Sequence, residues 1–324
     1  MAAWQIFGLV LAAPRPITGL EPCRIDRPCP PDVTIDEAAI AMPPPNLSDD
    51  WIDLAPHPGG LFLDVAGVAR FHVEQGRYIT IDRAPGATDA EVDVYLTGTV
   101  LGVLLHQRGL LPLHCNAVRI GGAAFLFCGD SGAGKSTLAA WFEARGHAVL
   151  TDDLCAVQVG GGLPLALPGI PRLRLWRQSL ALLARGDAGL RALPWEEDKF
   201  EGAIAAPAPP SPLPVAAIYH LRGAGQPTGG AAPRDVPRLH GLAAAEVITA
   251  SIYRRRIADH IGRTPGYLAD AMAVARTVPV HAFTRSWDLS RFEDEALAIE
   301  AHAIAVAQHH MGELQAPSAK ALAW

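Results

Sequence analysis

Gly129-Asp130-Ser131-Gly132-Ala133-Gly134-Lys135-Ser136-Thr137 is the stretch whose reading decides the fold. It fits the pattern G-x-x-x-x-G-K-[ST], and its flanks supply the context that pattern needs. Before it, Ala123-Ala124-Phe125-Leu126-Phe127-Cys128 is an apolar run without a polar interruption, as a strand buried on both faces should be. After it, residues 138–145 are mostly good helix formers and stop at Gly146, a natural helix C-cap. Glycines let successive backbone N–H groups turn inward, and the helix N-terminus adds partial positive charge. Such a loop cradles phosphates: its residues Gly129 to Thr137 would surround them, Lys135 would reach the outer ones, and the Ser136 hydroxyl would face Mg²⁺.

Working outward, His147-Ala148-Val149-Leu150-Thr151 reads as the next strand, closing a strand–helix–strand unit, and it ends in Asp152-Asp153. A ligand should bind at the carboxyl ends of such strands. A carboxylate there is where an NTPase of this type holds its metal, and two adjacent ones permit a division of labour. One can hold Mg²⁺ while the other takes a proton from an incoming hydroxyl. Upstream, residues 111–118 read as a strand carrying His114, with Gly121-Gly122 as the turn into the loop's strand.

The 324 residues exceed one typical domain. Half are hydrophobic, 19% are charged and the net charge is −6, which argues against a general nucleic-acid binder. The five cysteines show no C-x-x-C, so neither a disulfide framework nor a zinc site is expected, and a reducing cytoplasmic setting fits. Residues 4–13 are apolar but too short to span a bilayer and lack a basic n-region, so they read as a first β-strand and no membrane segment is expected.

The division expected is a β-rich N-terminal domain over residues 1–87 and an α/β catalytic domain over 88–324. Residues 61–65, 69–73 and 78–81 have strand composition, and Pro28 to Pro45 reads as irregular loop. Thr88-Asp89-Ala90-Glu91 is a capping-box signature opening a helix to about Arg108. Residues 165–176 alternate in their second part as a strand does, and 205–214 and 223–237 read as loops. Val215 to Leu221 reads as a strand, helices are expected near 178–183, 241–257, 264–276 and 291–309, and a strand at 278–283. Arg172 and Arg174 fall on one strand face, from which both could reach a phosphate or an acidic acceptor. Lys199 is expected on a mobile loop over the site, and Tyr253-Arg254-Arg255-Arg256 is a basic cluster suited to an acidic partner or a surface run. His309-His310 has no matching ligand set.

The order His114, Gly129-Asp130-Ser131-Gly132-Ala133-Gly134-Lys135-Ser136, Arg145-Gly146-His147 and Asp152-Asp153 resembles the catalytic core of the HPr kinase/phosphorylase family. The resemblance covers residues 108–155 and implies an α/β P-loop core related to that of phosphoenolpyruvate carboxykinase, with ATP and Mg²⁺ as cofactors. It implies that Lys135 and the loop backbone bind phosphates, that Ser136 and Asp153 hold Mg²⁺, and that Asp152, with His114 as helper, activates a serine hydroxyl. The two aspartates could exchange these roles. Thr137 stands where the family carries Glu, and Pro171 to Trp176 stands where it carries E-V-R-G-x-G. In this the chain is similar to the divergent HPr-kinase-like proteins, some of which phosphorylate a lasso peptide on serine. The expected activity is a serine kinase acting on a peptide or protein, with a small-molecule hydroxyl kinase or a nucleotide-binding regulatory module as the alternatives. The family's oligomers imply a homo-oligomer.

Overall fold

A computed structural model of the chain describes residues 1–26, 29–40, 52–57, 59–205, 207–223, 236–286 and 288–315, the side chains of 310–315 excepted. Part of each expected loop, at 28 and 41–45, at 206 and at 224–235, lies outside the described residues, as does the His310 side chain. The fold is mixed α/β, with three sheets among the described residues.

The first sheet comprises β1 (Ala2–Ile6), β2 (Leu9–Ala13), β3 (Val33–Glu37), β4 (Ile52–His57), β5 (Gly60–Val65), β6 (Ala69–Glu74) and β7 (Tyr78–Arg83), in the order β1-β2-β3-β7-β6-β5-β4. The apolar run expected as one strand is a hairpin. Phe7 and Gly8 both take positive φ (51° and 73°), the geometry of a two-residue turn that matches strand twist. Along β6, Phe71 and Val73 point inward and His72 outward, a period-2 alternation with one face buried. That face packs on Val92, Leu96, Val100 and Leu104 of the helical segment that follows.

This segment starts at α1 (Asp89–Tyr95), where the Thr88 hydroxyl accepts from the Glu91 amide and Glu91 reaches back to the Thr88 amide. It widens into a π turn at Leu96–Val100 and continues as α2 (Leu101–Gln107).

The expected strand 111–118 breaks at His114 into β8 (Leu111–Leu113) and β9 (Cys115–Ile120), which pair with different partners. After β10 (Ala123–Cys128) come α3 (Lys135–Ala144), β11 (Ala148–Thr151), β12 (Cys155–Gln158), β13 (Leu165–Leu167) and β14 (Arg172–Trp176). The single strand expected over 165–176 is divided because Pro168 and Pro171 interrupt the ladder. Then follow α4 (Arg177–Leu182), β15 (Arg191–Leu193), β16 (Glu196–Ala203), β17 (Leu213–Gly223), β18 (Arg238–Leu239), α5 (Gly241–Ala250), α6 (Arg255–His260), α7 (Thr264–Thr277), β19 (Val280–Arg285) and α8 (Phe292–Gln315). The helix expected over 241–257 ends at Ala250, and a turn through Ser251 to Arg254 precedes α6.

The central sheet runs β11-β9-β10-β17-β13-β12-β8, with β19 beside β17 and β18 at its edge. The expected strand–helix–strand unit is therefore interrupted. β11 runs in the same sense as β10, but the antiparallel β9 lies between them. β10 is buried along its whole length because it faces two cores. Phe125 and Phe127 pack with Leu138, Phe142 and Ile299 of α3 and α8, while Ala124, Leu126 and Cys128 pack with Ile248, Tyr267 and Val274 of α5 and α7. The glycine loop leaves the carboxyl end of this strand. β14, β16 and β15 form the third sheet, so Lys199 sits on a strand and not on the expected loop. All five cysteines are free thiols, and no helix of the described residues is long and apolar enough to cross a membrane.

Candidate active site

Gly129 has φ 151°, and a Cβ there would meet the Leu221 carbonyl oxygen at 2.6 Å, so only glycine lets the chain leave β10 beside β17. Gly134 caps α3 at φ 81°, where a Cβ would collide with the Arg285 guanidinium. The loop is held in turn by Arg285 Nη1, which donates to the Ala133 carbonyl at 3.0 Å. Lys135 folds back over the loop, donating to the carbonyls of Gly129 (2.8 Å) and Asp130 (3.0 Å). Burial pulls its ammonium below the usual lysine range, against the opposing field of Asp153. Asn116 on β9 donates to the Lys135 carbonyl, fixing the first turn of α3. Thr137 bonds Ser179 of α4 at 2.8 Å.

The two aspartates are held differently. Asp152 is buried and receives two hydrogen bonds, from Ser136 Oγ to Oδ1 (2.9 Å) and from the Arg174 amide to Oδ2 (3.0 Å). Burial pushes its carboxyl up, and these bonds only partly offset that. Asp153 takes φ 74°, an uncommon conformation for a residue with a side chain. That turns its carboxylate to the other side, 3.0 Å from His114 Nδ1 and 3.7 Å from Arg174 Nη1. Burial alone would raise its pKa, but the His114 bond and the charges of His114, Arg174 and Arg172 hold it well below the usual range. His114 stands at the break between β8 and β9, its amide donating to the Ser251 carbonyl at 2.7 Å.

Arg172 and Arg174 share a strand face and both reach Glu201, but their remaining contacts diverge. Arg174 Nε donates to Glu201 at 2.9 Å, and its Nη2 is buried without a hydrogen-bond partner among the described residues. Arg172 turns away to donate to the Thr97 hydroxyl (2.9 Å) and carbonyl (3.0 Å), within the π turn. Glu201 collects Arg172 (3.3 Å), Arg174 (2.9 Å) and Arg191 (2.6 Å), and these three cations pull its carboxyl down to about 2 despite burial. Lys199 lies 3.2 Å from Glu196 and over the Trp176 ring.

Two cavities open here. The first, about 510 Å³, is lined by residues 131–137 of the loop and helix start, by Trp176, Ser179 and Leu182, and by Arg222, Arg285 and Phe292. The second, about 660 Å³, is walled by Tyr95, Gly98 and Thr99, by residues 193–196, and by Ile252, Tyr253 and Arg254. His114, Ser131, Asp153, Arg174 and Lys199 line both. Of the site residues expected from the sequence, Gly129, Asp130, Asp152 and Arg172 border neither cavity, and Asp152 is tied to the loop's helix through Ser136. The sequence reading missed Arg222, Arg285, Glu201 and, of the second cavity's aromatic wall, Tyr95 and Trp195. Arg285 lies two residues past the strand expected at 278–283, which extends to include it as β19.

No protein-family model matches the chain, and no curated protein matches it. Among solved structures it is similar to the Hpr(Ser) kinase/phosphatase from Coxiella burnetii, at 12% identity and a TM-score of 0.35 over 62% of this chain and 96% of that one.

Proposed function

We propose that the chain is a Mg²⁺- and ATP-dependent kinase that transfers the γ-phosphoryl group to a serine hydroxyl of a peptide or protein. The observation that carries this reading is the junction: two cavities meet at His114, Ser131, Asp153, Arg174 and Lys199. A donor in one and an acceptor in the other would be separated only by groups suited to phosphoryl transfer. Each cavity has the volume of a site for a cofactor-sized ligand.

The donor set fits a magnesium ion. Ser136 Oγ and Asp152 Oδ1 lie 2.9 Å apart, and adjacent oxygens of an octahedral Mg²⁺ at its ordinary bond lengths are also about 2.9 Å apart. Ser136 and Asp152 would hold the metal, and Asp153 would face the acceptor with His114 orienting it, the exchanged assignment of the two aspartates. The metal, when bound, neutralises charge on the phosphates. Lys135 would leave its loop carbonyls to bind the outer phosphates. The unpartnered Arg174 Nη2 would donate to the group in transit at the junction, where charge develops. Asp153 would accept the serine proton. A carboxylate held firmly ionised is a weak base, but in a loose phosphoryl-transfer transition state the hydroxyl becomes acidic late, and a positioned weak base suffices.

The test is transfer from γ-labelled ATP to serine peptides by Asp153→Asn and Asp152→Asn. Asp153→Asn should lose roughly 10²–10⁴-fold in kcat with ATP affinity kept. Asp152→Asn should instead raise the Mg²⁺ concentration needed for half-maximal rate. Undiminished transfer by Asp153→Asn would take the proton-accepting role from Asp153, and ATP binding by the wild-type protein without transfer to any serine peptide would defeat the kinase reading and leave a nucleotide-binding module.

A further inference from the structure

The basic run Arg254-Arg255-Arg256 has no role in the reading above, yet its first residue borders the second cavity. Backbone strain is concentrated in the same wall. Among the described residues six side-chain-bearing positions take positive φ, and three of them, Asp153 (74°), Trp195 (64°) and Arg254 (45°), line this one cavity. Such conformations cost on the order of 1–3 kcal/mol each and persist where a site requires a side chain in a particular direction.

The charges of the cavity do not balance. Arg174 is matched by Asp153 and Lys199 by Glu196. Arg254 is exposed, its guanidinium lies 5.8 Å from the Tyr253 ring centre, and no described carboxylate pairs with it. On the same lining, Trp195 leaves 52% of its surface in solvent with its ring 5.7 Å from that of Tyr95. A large aromatic left uncovered at a cavity mouth beside an unmatched cation is a combination typical of recognition surfaces. The turn bearing Arg254 is itself fixed. The Tyr253 amide donates to the Pro112 carbonyl (2.9 Å), and the Tyr253 carbonyl accepts from His106 Nε2 (2.9 Å).

We propose that the second cavity selects an acidic peptide segment, with Arg254 holding a carboxylate side chain near the target serine and Trp195 with Tyr95 covering a bulky apolar neighbour. This rests on the kinase reading and names its substrate class. The negative flank is drawn by the unmatched guanidinium, and the apolar neighbour is drawn by the open indole face. An acidic segment also suits the mouth, because Arg255 is exposed beside Arg254.

The experiment is a peptide array with one fixed serine and degenerate flanks, incubated with Mg²⁺ and γ-labelled ATP. Wild-type protein should favour Asp or Glu over Lys or Arg at one flanking position by roughly tenfold, the worth of one charge-assisted contact. Arg254→Glu should invert that preference, a change that general damage to the fold cannot produce. Trp195→Ala should raise the KM of the best peptide roughly tenfold with kcat kept within about twofold. Incorporation without an acidic preference, or the same preference in Arg254→Glu, would overturn the acidic-segment inference while leaving a kinase. No incorporation into any serine peptide by a wild-type protein that binds ATP would overturn both.

Discussion

The cavity over the glycine loop and the cavity beside it share five residues but are built by opposite means. The first would draw its grip from one unbroken stretch, residues 131–137, in which backbone amides and a helix end supply the charge. The second is assembled from segments near 95, 114, 174, 195 and 253, and its walls are side chains. A backbone cradle recognises what every phosphate chain has in common. A wall of side chains borrowed from separate elements can be altered piece by piece, and it is where specificity for an acceptor would be written. The contrast predicts that the two cavities fail differently when disturbed.

The largest disturbance is at Glu201, the single carboxylate on which Arg172, Arg174 and Arg191 converge. Arg172 in turn grips the π turn that contributes Gly98 and Thr99 to the second cavity. Glu201→Gln leaves three guanidiniums facing a neutral amide in a buried setting. Removing one partner of a buried ion cluster costs about 3–5 kcal/mol. Denaturant unfolding should show that loss, and acceptor KM should worsen more than ATP affinity. A loss below about 1 kcal/mol would mean that the wall does not hang on this carboxylate.

Next is Lys135→Ala, which should strike the first cavity alone. The loop carbonyls it leaves can turn to water in the cavity, so stability should hardly change. Turnover should fall roughly 10²–10³-fold, as when one preorganised donor to a developing charge is lost. Isothermal titration with ATP beside steady-state rates would separate binding from transfer. A variant that melts early but transfers normally would reverse the assignment of this lysine from ligand contact to scaffold.

The same contrast explains which features could be read from sequence. Local physics dictates the glycine loop, the apolar β10, the Thr88–Glu91 box and the end of α3 at Gly146, so each is written in consecutive residues. His114 breaking a strand is not, because the break exists only when β8 turns to pair with β12 while β9 inserts between β10 and β11. Glu196-Glu197-Asp198-Lys199 is too polar to announce a strand, and it becomes one only by pairing with β15 at Glu196 and with β14 from Lys199 onward. The pairing of Ser136 with Asp152 and of His114 with Asp153 follows from the positive φ at Asp153, which nothing in an Asp-Asp pair foretells. Arg172 and Arg174 share strand parity, which fixes the face they leave but not how far each turns along it.

The smallest expected effect concerns acid. His106 is fully buried between Tyr267 and the Tyr253 carbonyl. A carbonyl can only accept, so Nε2 carries the proton; burial favours the neutral ring, so Nδ1 accepts the Tyr267 hydroxyl proton at 2.6 Å in preference to the Leu110 carbonyl at 3.2 Å. Burial lowers its pKa from 6.5 to about 4. Between these values the unfolded chain binds a proton that the native protein does not, so native stability rises with pH across this window. Stability is fully present above about pH 6.5 and falls as pH drops toward 4, by up to about 3 kcal/mol. His281, also lowered to about 4, adds a loss of the same sign from the far side of the sheet. Comparing wild type with His106→Phe isolates the first. The variant should be less stable at pH 7 because the Tyr253 carbonyl loses its donor, and its stability should fall less steeply from pH 6.5 to 4. Because the Tyr253 turn bounds the second cavity only, acceptor KM should rise on acidification ahead of ATP affinity. Parallel weakening of both ligands, or identical slopes in the two proteins, would show that His106 does not set the acid sensitivity of this wall.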